Sequence, residues 1–186
     1  MNVYDPYPDR VTVDGKTYLL DLRWDNVLRA MDAQASDALS QHDRLMVMLV
    51  LLLKRKPPKD VTIWPKLMQA ILEIFPHSDK PQTRYIDLHQ DAKMIRSAFL
   101  RMGYDLSNSR MHFLQFLELL GDIPDDTALA RVIDIRRRPI PEPNKHNGKM
   151  IAALMEAKAK VAIRLPEEEQ RRMFAESLKQ SNVLRG

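Results

Sequence analysis

The residues of this chain that could catalyse or coordinate are few and scattered. Five histidines, His42, His77, His89, His112 and His146, show no H-x-x-x-H or H-E-x-x-H spacing. Cysteine is absent, which excludes disulfides, thiol nucleophiles and thiolate metal sites. Asp87, His89 and Asp91 are close in sequence. At i, i+2 and i+4 on a helix, however, the imidazole turns away from both carboxylates, and the acids read more simply as helix caps. Asp125-Asp126 and Glu167-Glu168-Glu169 could be imagined as paired catalytic carboxylates. Both stand at expected helix N-termini, where the dipole already favours negative charge. With five glycines in all there is no phosphate loop or dinucleotide fingerprint. The expectation is a non-enzyme with no metal and no cofactor.

Charge offers a second kind of chemistry. The formal net charge is +4, but residues 1–130 hold 16 Lys/Arg against 18 Asp/Glu (net −2), and residues 131–186 hold 13 against 7 (net +6). The positive excess therefore sits in the C-terminal third, which suits an acidic partner or a solvated tail. Two basic clusters could touch nucleic acid: Lys54-Arg55-Lys56 with Lys59, and Arg136-Arg137-Arg138. Both fall at expected helix C-termini, where cations are favoured anyway, and neither is interleaved with aromatics. Nucleic-acid binding is kept as the alternative reading.

The elements that must position these groups follow from the spacing of apolar residues. The chain has 186 residues, 45% apolar and 29% charged, as expected for one compact domain with a sizeable core. MNVYDPYPDR has acids and prolines where a signal peptide needs a basic then an apolar run, so no cleaved export signal is expected. The longest apolar run, Leu45 to Leu53, is nine residues against about twenty needed to cross a bilayer, so no membrane partner is expected.

RVTV and KTYLLDL flank Asp14-Gly15, which predicts a hairpin over 10–22. Val27, Leu28 and Met31 predict a helix over 24–35. A second helix should start near Ser40 and run to the Pro57-Pro58 stop; apolar on nearly every side in its second half, it should be the most buried of the fold. A third covers 60–75, with Pro65 in its first turn. Pro76–Arg84 reads as a loop.

The stretch Asp87 to Pro139 reads as three further helices. The first has Leu88, Ala92, Ile95, Ala98, Phe99 and Met102 on one face and ends at Gly103. The second is capped by Ser109, carries Phe113, Phe116, Leu117 and Leu120, and stops at Gly121. His112 should lie on it as a partly exposed surface residue. The third is capped by Asp125 and Asp126, turns Leu129, Val132 and Ile133 inward, and closes at Arg136–Arg138.

The proline-rich segment from Pro139 to Pro143 should be extended. Beyond it a helix over 149–163 carries Ile151, Leu154, Met155 and Val161 on one side, and another starts at Pro166 with Phe174 and Leu178. The fold class is thus mainly α, with a small N-terminal β-hairpin. Its expected organisation is a helical core over 1–138, a linker over 139–148 and a C-terminal helical arm over 149–186.

Eleven methionines, among them Met46, Met48, Met150, Met155 and Met173, fill irregular core gaps by default. The same flexibility suits a groove that must accept variable partner helices.

The order and spacing of several motifs resemble a family of small proteins from tailed phages with long non-contractile tails and from related prophages. Their genes lie between those for the major tail protein and the tape measure. The likeness runs through Asp14-Gly15-Lys16, Tyr85-Ile86-Asp87-Leu88 and Gln90-Asp91-Ala92, then Ile95, Ala98 and Phe99. It continues with Gly103-Tyr104-Asp105-Leu106, Phe113, Phe116 and Leu117, Gly121-Asp122-Ile123-Pro124, Val132-Ile133, Arg136 and Leu165-Pro166-Glu167-Glu168. It covers most of 8–170 and is best over 85–138. The chain departs where the family commonly carries tryptophan and Met111, His112 and Phe113 stand here, and beyond 170 no counterpart is found.

The resemblance implies a tail-assembly chaperone of the host cytoplasm. Such a protein binds the helical tape-measure protein before tail tube subunits polymerise around it. The major tail protein and further copies of the chain are additional candidate partners. The residues expected to meet a partner are Met150, Ile151, Leu154, Met155, Phe174 and Leu178, with Arg136, Arg137 and Arg138 steering acidic surfaces. A minor structural tail component is a further alternative.

Overall fold

A computed structural model describes residues 4–76 and 84–164 of the chain. It is mainly α, with one small hairpin. Strands β1 (Arg10–Val13) and β2 (Lys16–Leu19) are followed by α1 (Trp24–Ala35) and α2 (Gln41–Leu52). A 3₁₀ turn at Val61–Ile63 leads into α3 (Trp64–Leu72). Then come α4 (Ala92–Arg101), α5 (Phe113–Gly121), α6 (Ala128–Arg137) and α7 (Gly148–Val161). By contacts the described residues form two compact units. One holds 4–76 and 99–123, the other 84–98 and 124–164.

In the first unit the hairpin forms as its turn chemistry dictates. Asp14 and Gly15 have φ of 48° and 74°, the two left-handed residues of a type I′ turn, and Val13 pairs with Lys16 across it. Helix α1 has the bounds expected of it, and buries Asn26, Val27, Ala30 and Ala33. Met31, one of the three apolar residues whose spacing predicts this helix, is 51% exposed. Ser40 caps α2 by accepting from the Asp43 amide at 3.2 Å.

That helix stops at Leu52, short of the expected proline stop. The next residues are taken by β-type pairing: Asp21 N–H donates to Leu52 at 2.8 Å and Lys54 N–H to Leu19 at 3.0 Å. Nor is α2 the most buried helix. It buries Met48, Leu49 and Leu52, whereas the shorter α3 buries Trp64, Leu67, Met68 and Ile71, and Val50 on α2 is 56% exposed.

A second long-range pairing resets the start of α5. Trp24 N–H donates to Met111 at 3.1 Å and Phe113 N–H to Leu22 at 2.8 Å, holding 111–113 extended. Ser109 therefore caps nothing helical; its hydroxyl accepts from Met111 N–H, and the cap of α5 is His112. Gly103, at φ 89°, ends α4 in a Schellman turn, with Tyr104 N–H on Phe99 O at 2.8 Å and Gly103 N–H on Leu100 O at 3.0 Å.

The core of this unit is aromatic. Phe116 is 1% exposed, and its ring stacks with Trp24, Phe99 and Phe113 at centroid distances of 5.5, 5.1 and 6.0 Å. Phe116→Ala should destabilise the protein by about 3–5 kcal/mol, because a ring-sized cavity cannot collapse between three other rings. Urea unfolding followed by circular dichroism measures this.

His112 does more than the surface role expected of it. Its Nδ1 accepts from Leu114 N–H at 3.1 Å, Nε2 lies 3.1 Å from Pro8 O, and the ring stacks on Tyr7 at 5.0 Å. These contacts require the neutral Nε2–H tautomer. Tyr7 donates its hydroxyl to Glu118, and that bond, with burial and the charge of the carboxylate, pushes its pKa up to about 12.

Burial lowers the His112 pKa below its ordinary 6.5, outweighing Pro8 O and Glu118, which raise it. The unfolded chain therefore holds this proton more tightly than the folded one. The stability His112 contributes is complete above pH 6.5 and is lost as pH falls below it. His112→Asn keeps a capping acceptor without a titrating ring, so denaturation midpoints between pH 7 and 5 should vary less in the variant than in the wild type.

Candidate partner-binding site

Most of the candidate residues lie on α6 and α7, in the second unit. Thr127, 6% exposed, caps α6: its hydroxyl accepts from Ala130 N–H at 3.1 Å, in place of the expected Asp125 and Asp126. Leu129 is fully buried, while Val132 and Ile133 are half-buried. The segment after α6 is extended and largely exposed, as its prolines dictate. Asn144 and Asn147 then organise a tight turn. The Asn147 side chain accepts from Asn144 N–H at 2.7 Å and donates to Glu142 O at 2.8 Å, and Asn147 O starts α7 by accepting from Ile151 N–H at 2.9 Å.

Helix α7 packs against α6, yet none of its residues is buried. Ile151 and Leu154 are half-covered, whereas Met150 and Met155 are 56% and 54% exposed. So the four apolar residues of α7 expected to meet a partner divide into two that face partly inward and two that face solvent. Phe174 and Leu178 lie outside the described residues, as does the helix expected from Pro166.

The three arginines at the end of α6, adjacent in sequence, have three different environments. Arg137 places its guanidinium carbon 5.7 Å from the Tyr85 ring centre, and Arg138 pairs with Asp134 one turn back on the exposed surface. The Arg136 side chain is 7% exposed and faces that of Asp91, 1% exposed.

All three guanidinium nitrogens of Arg136 donate. Nη1 reaches Asp91 Oδ2 and Tyr85 O (2.8 Å), Nη2 reaches Asp91 Oδ1 at 2.9 Å, and Nε reaches Val161 O at 2.6 Å. Asp91 Oδ2 also accepts from Asp87 N–H at 2.9 Å. The Lys158 ammonium donates to the carbonyl of Arg136 at 2.8 Å, which ties α7 to the end of α6 a second time. Gln90 completes the set. Its side-chain amide donates to Ala162 O at 2.9 Å and accepts from Arg164 N–H at 3.0 Å, as a neighbouring strand would. Arg136 therefore holds the end of α7 internally and presents no charge to a steered partner.

Asp91, Gln90 and Tyr85 are the residues that sequence reasoning did not assign to this cluster. A signal was there for Asp91. It lies four residues before Ile95, on the same face as the apolar stripe of α4, and an acid on an apolar face requires a buried cation. Which cation it meets is set by tertiary packing. Among the described residues no three His, Asp or Glu side chains converge to hold a metal ion, and no helix is long and apolar enough to cross a membrane.

Removing one partner of this pair strands a buried charge. Asp91→Leu or Arg136→Met should each cost about 3–5 kcal/mol. The double replacement Asp91→Leu with Arg136→Met should cost less than the sum of the single changes, as a double-mutant cycle by chemical denaturation would read out.

Set against known proteins, the family model described as Bacteriophage Gp15 protein matches residues 3–163. No curated protein and no solved structure matches the chain.

Proposed function

Because the chain belongs to the Bacteriophage Gp15 protein family, we propose that it is a tail-assembly chaperone that binds the phage tape-measure protein in the host cytoplasm and acts without catalysis. The observation that carries this reading is α7, a helix with no buried residue that holds Met150 and Met155 in solvent. Methionine adapts its shape to variable apolar partners, and a tape measure is a long succession of amphipathic helices whose apolar stripes aggregate if left bare. Helix-on-helix capture through such residues is weak at each site. It becomes useful when repeated along the client, and release then needs no chemical step. Ile151 and Leu154 would supply the covered half of the same surface. The major tail protein and further copies of the chain are secondary partners in this reading.

The test is co-expression with the tape-measure protein of the same phage, followed by affinity capture and a solubility assay. The tape measure should stay soluble and co-purify. Burying two half-exposed methionines contributes about 1 kcal/mol each. Met150→Glu with Met155→Glu should therefore weaken capture roughly thirtyfold while leaving thermal unfolding of the protein unchanged. An insoluble tape measure and no recovered complex would contradict the chaperone reading. DNA capture that falls steeply with salt would favour a nucleic-acid-binding regulator, and stoichiometric recovery from purified particles by mass spectrometry a structural tail component.

A further inference from the structure

The basic cluster Lys54-Arg55-Lys56 plays no part in the chaperone reading, yet it borders an open recess of about 280 Å³ in the first unit. The recess lies between the outer edge of β2 and the chain that leaves α2, and is lined by Lys16, Thr17, Leu19, Arg55, Lys56 and Pro58. Two neighbouring lysines have a carboxylate beside them, Lys54 the Asp9 it shares with Arg10, at 3.7 Å, and Lys66 Asp14 at 3.0 Å. Lys16, Arg55 and Lys56 are exposed, and among the described residues no carboxylate pairs with them. Three like charges thus border one cavity without a counter-charge. An anionic occupant would relieve their repulsion.

The backbone narrows the class of occupant. Leu20 N–H donates to Asp9 O at 2.7 Å, so in this antiparallel ladder residues 16, 18 and 20 bond to β1, while Thr17 and Leu19 point their backbone groups to the outer edge. That edge is paired at its far end alone, where Lys54 N–H reaches Leu19 O at 3.0 Å before the chain departs. The Thr17 N–H and C=O and the Leu19 N–H therefore face the recess at strand spacing. Leu19, 38% exposed, and Pro58 give it an apolar wall. Nucleic acid would use the cations but not the strand edge. It would also want an aromatic face for its bases, and the half-buried Tyr18 ring already carries the Lys16 ammonium at 5.4 Å.

We propose that this recess is a docking site for an extended acidic segment of a partner protein, which adds a strand to the outer edge of β2 while Lys16, Arg55 and Lys56 pair with its carboxylates. Main-chain bonds supply registry and the cations supply selectivity, the division of labour of strand addition elsewhere. The site lies on different residues from α7, so it stands whether or not the tape measure is the client.

The probe is a fluorescein-labelled peptide of alternating Glu and Val, titrated with the full chain by anisotropy at low salt. It should bind saturably, and the amides of Thr17 and Leu19 should become protected from hydrogen exchange. Affinity should fall about tenfold or more in the Arg55→Glu, Lys56→Glu variant. It should fall similarly for the same peptide N-methylated at the alternate residues that would face β2, which keeps its charge and carbonyls but puts methyl groups where the two strands must approach. The second comparison needs no variant, so a folding failure cannot hide the answer. Three results would overturn the proposal: no saturable binding, which leaves Lys16 as a residue that merely blunts a strand edge; equal binding of the N-methylated peptide; or preference for oligo-dT.

Discussion

The buried pair Arg136–Asp91 is the constraint on which the second unit depends. Side chains 7% and 1% exposed are tolerable because each charge is well bonded, Arg136 to the carboxylate and two backbone carbonyls and Asp91 additionally to a backbone amide. The planar fork of arginine matters: a lysine has one nitrogen and could not reach Asp91, Tyr85 O and Val161 O together. One side chain at the end of α6 thereby fixes the segment before α4 and the last turn of α7. Gln90 extends the hold to residues 162–164. Without it, α7 would rest on α6 through half-covered apolar residues and the Lys158 bond to the Arg136 carbonyl.

Local chemistry made much of the fold legible in advance. Asp14-Gly15, the Ser40 cap, the bounds of α1 and the left-handed Gly103 each depend on a few neighbouring residues, and each is found where its residue types place it. The departures in α2 and α5 share one cause. Residues 52–54 pair with 19–21, and 111–113 pair with 22–24, so α2 ends early and α5 starts late. Such pairings leave no periodic trace in sequence. Asp125 and Asp126 lost the cap of α6 to Thr127, one residue nearer, and the three arginines could not be told apart until packing assigned each its surroundings.

The same division runs through the candidate sites. Composition and spacing identified α7 as amphipathic and methionine-bearing, but which methionines face solvent was a matter of packing. The basic run at 54–56 was visible at once. The strand edge beside it was not, because that edge exists only where α2 gives way to the bridge with β2.

The most direct measurement is native-state hydrogen exchange of the second unit, in the wild type and in Asp91→Asn. If the Arg136 cluster holds the end of α7, the Arg164 amide, bonded to Gln90, exchanges slowly in the wild type. In the variant, residues 148–164 exchange much faster while 24–35 keep their protection. An Arg164 amide that exchanges like a free chain end in the wild type, or a variant with undiminished protection over 148–164, would contradict the role given to this ion pair.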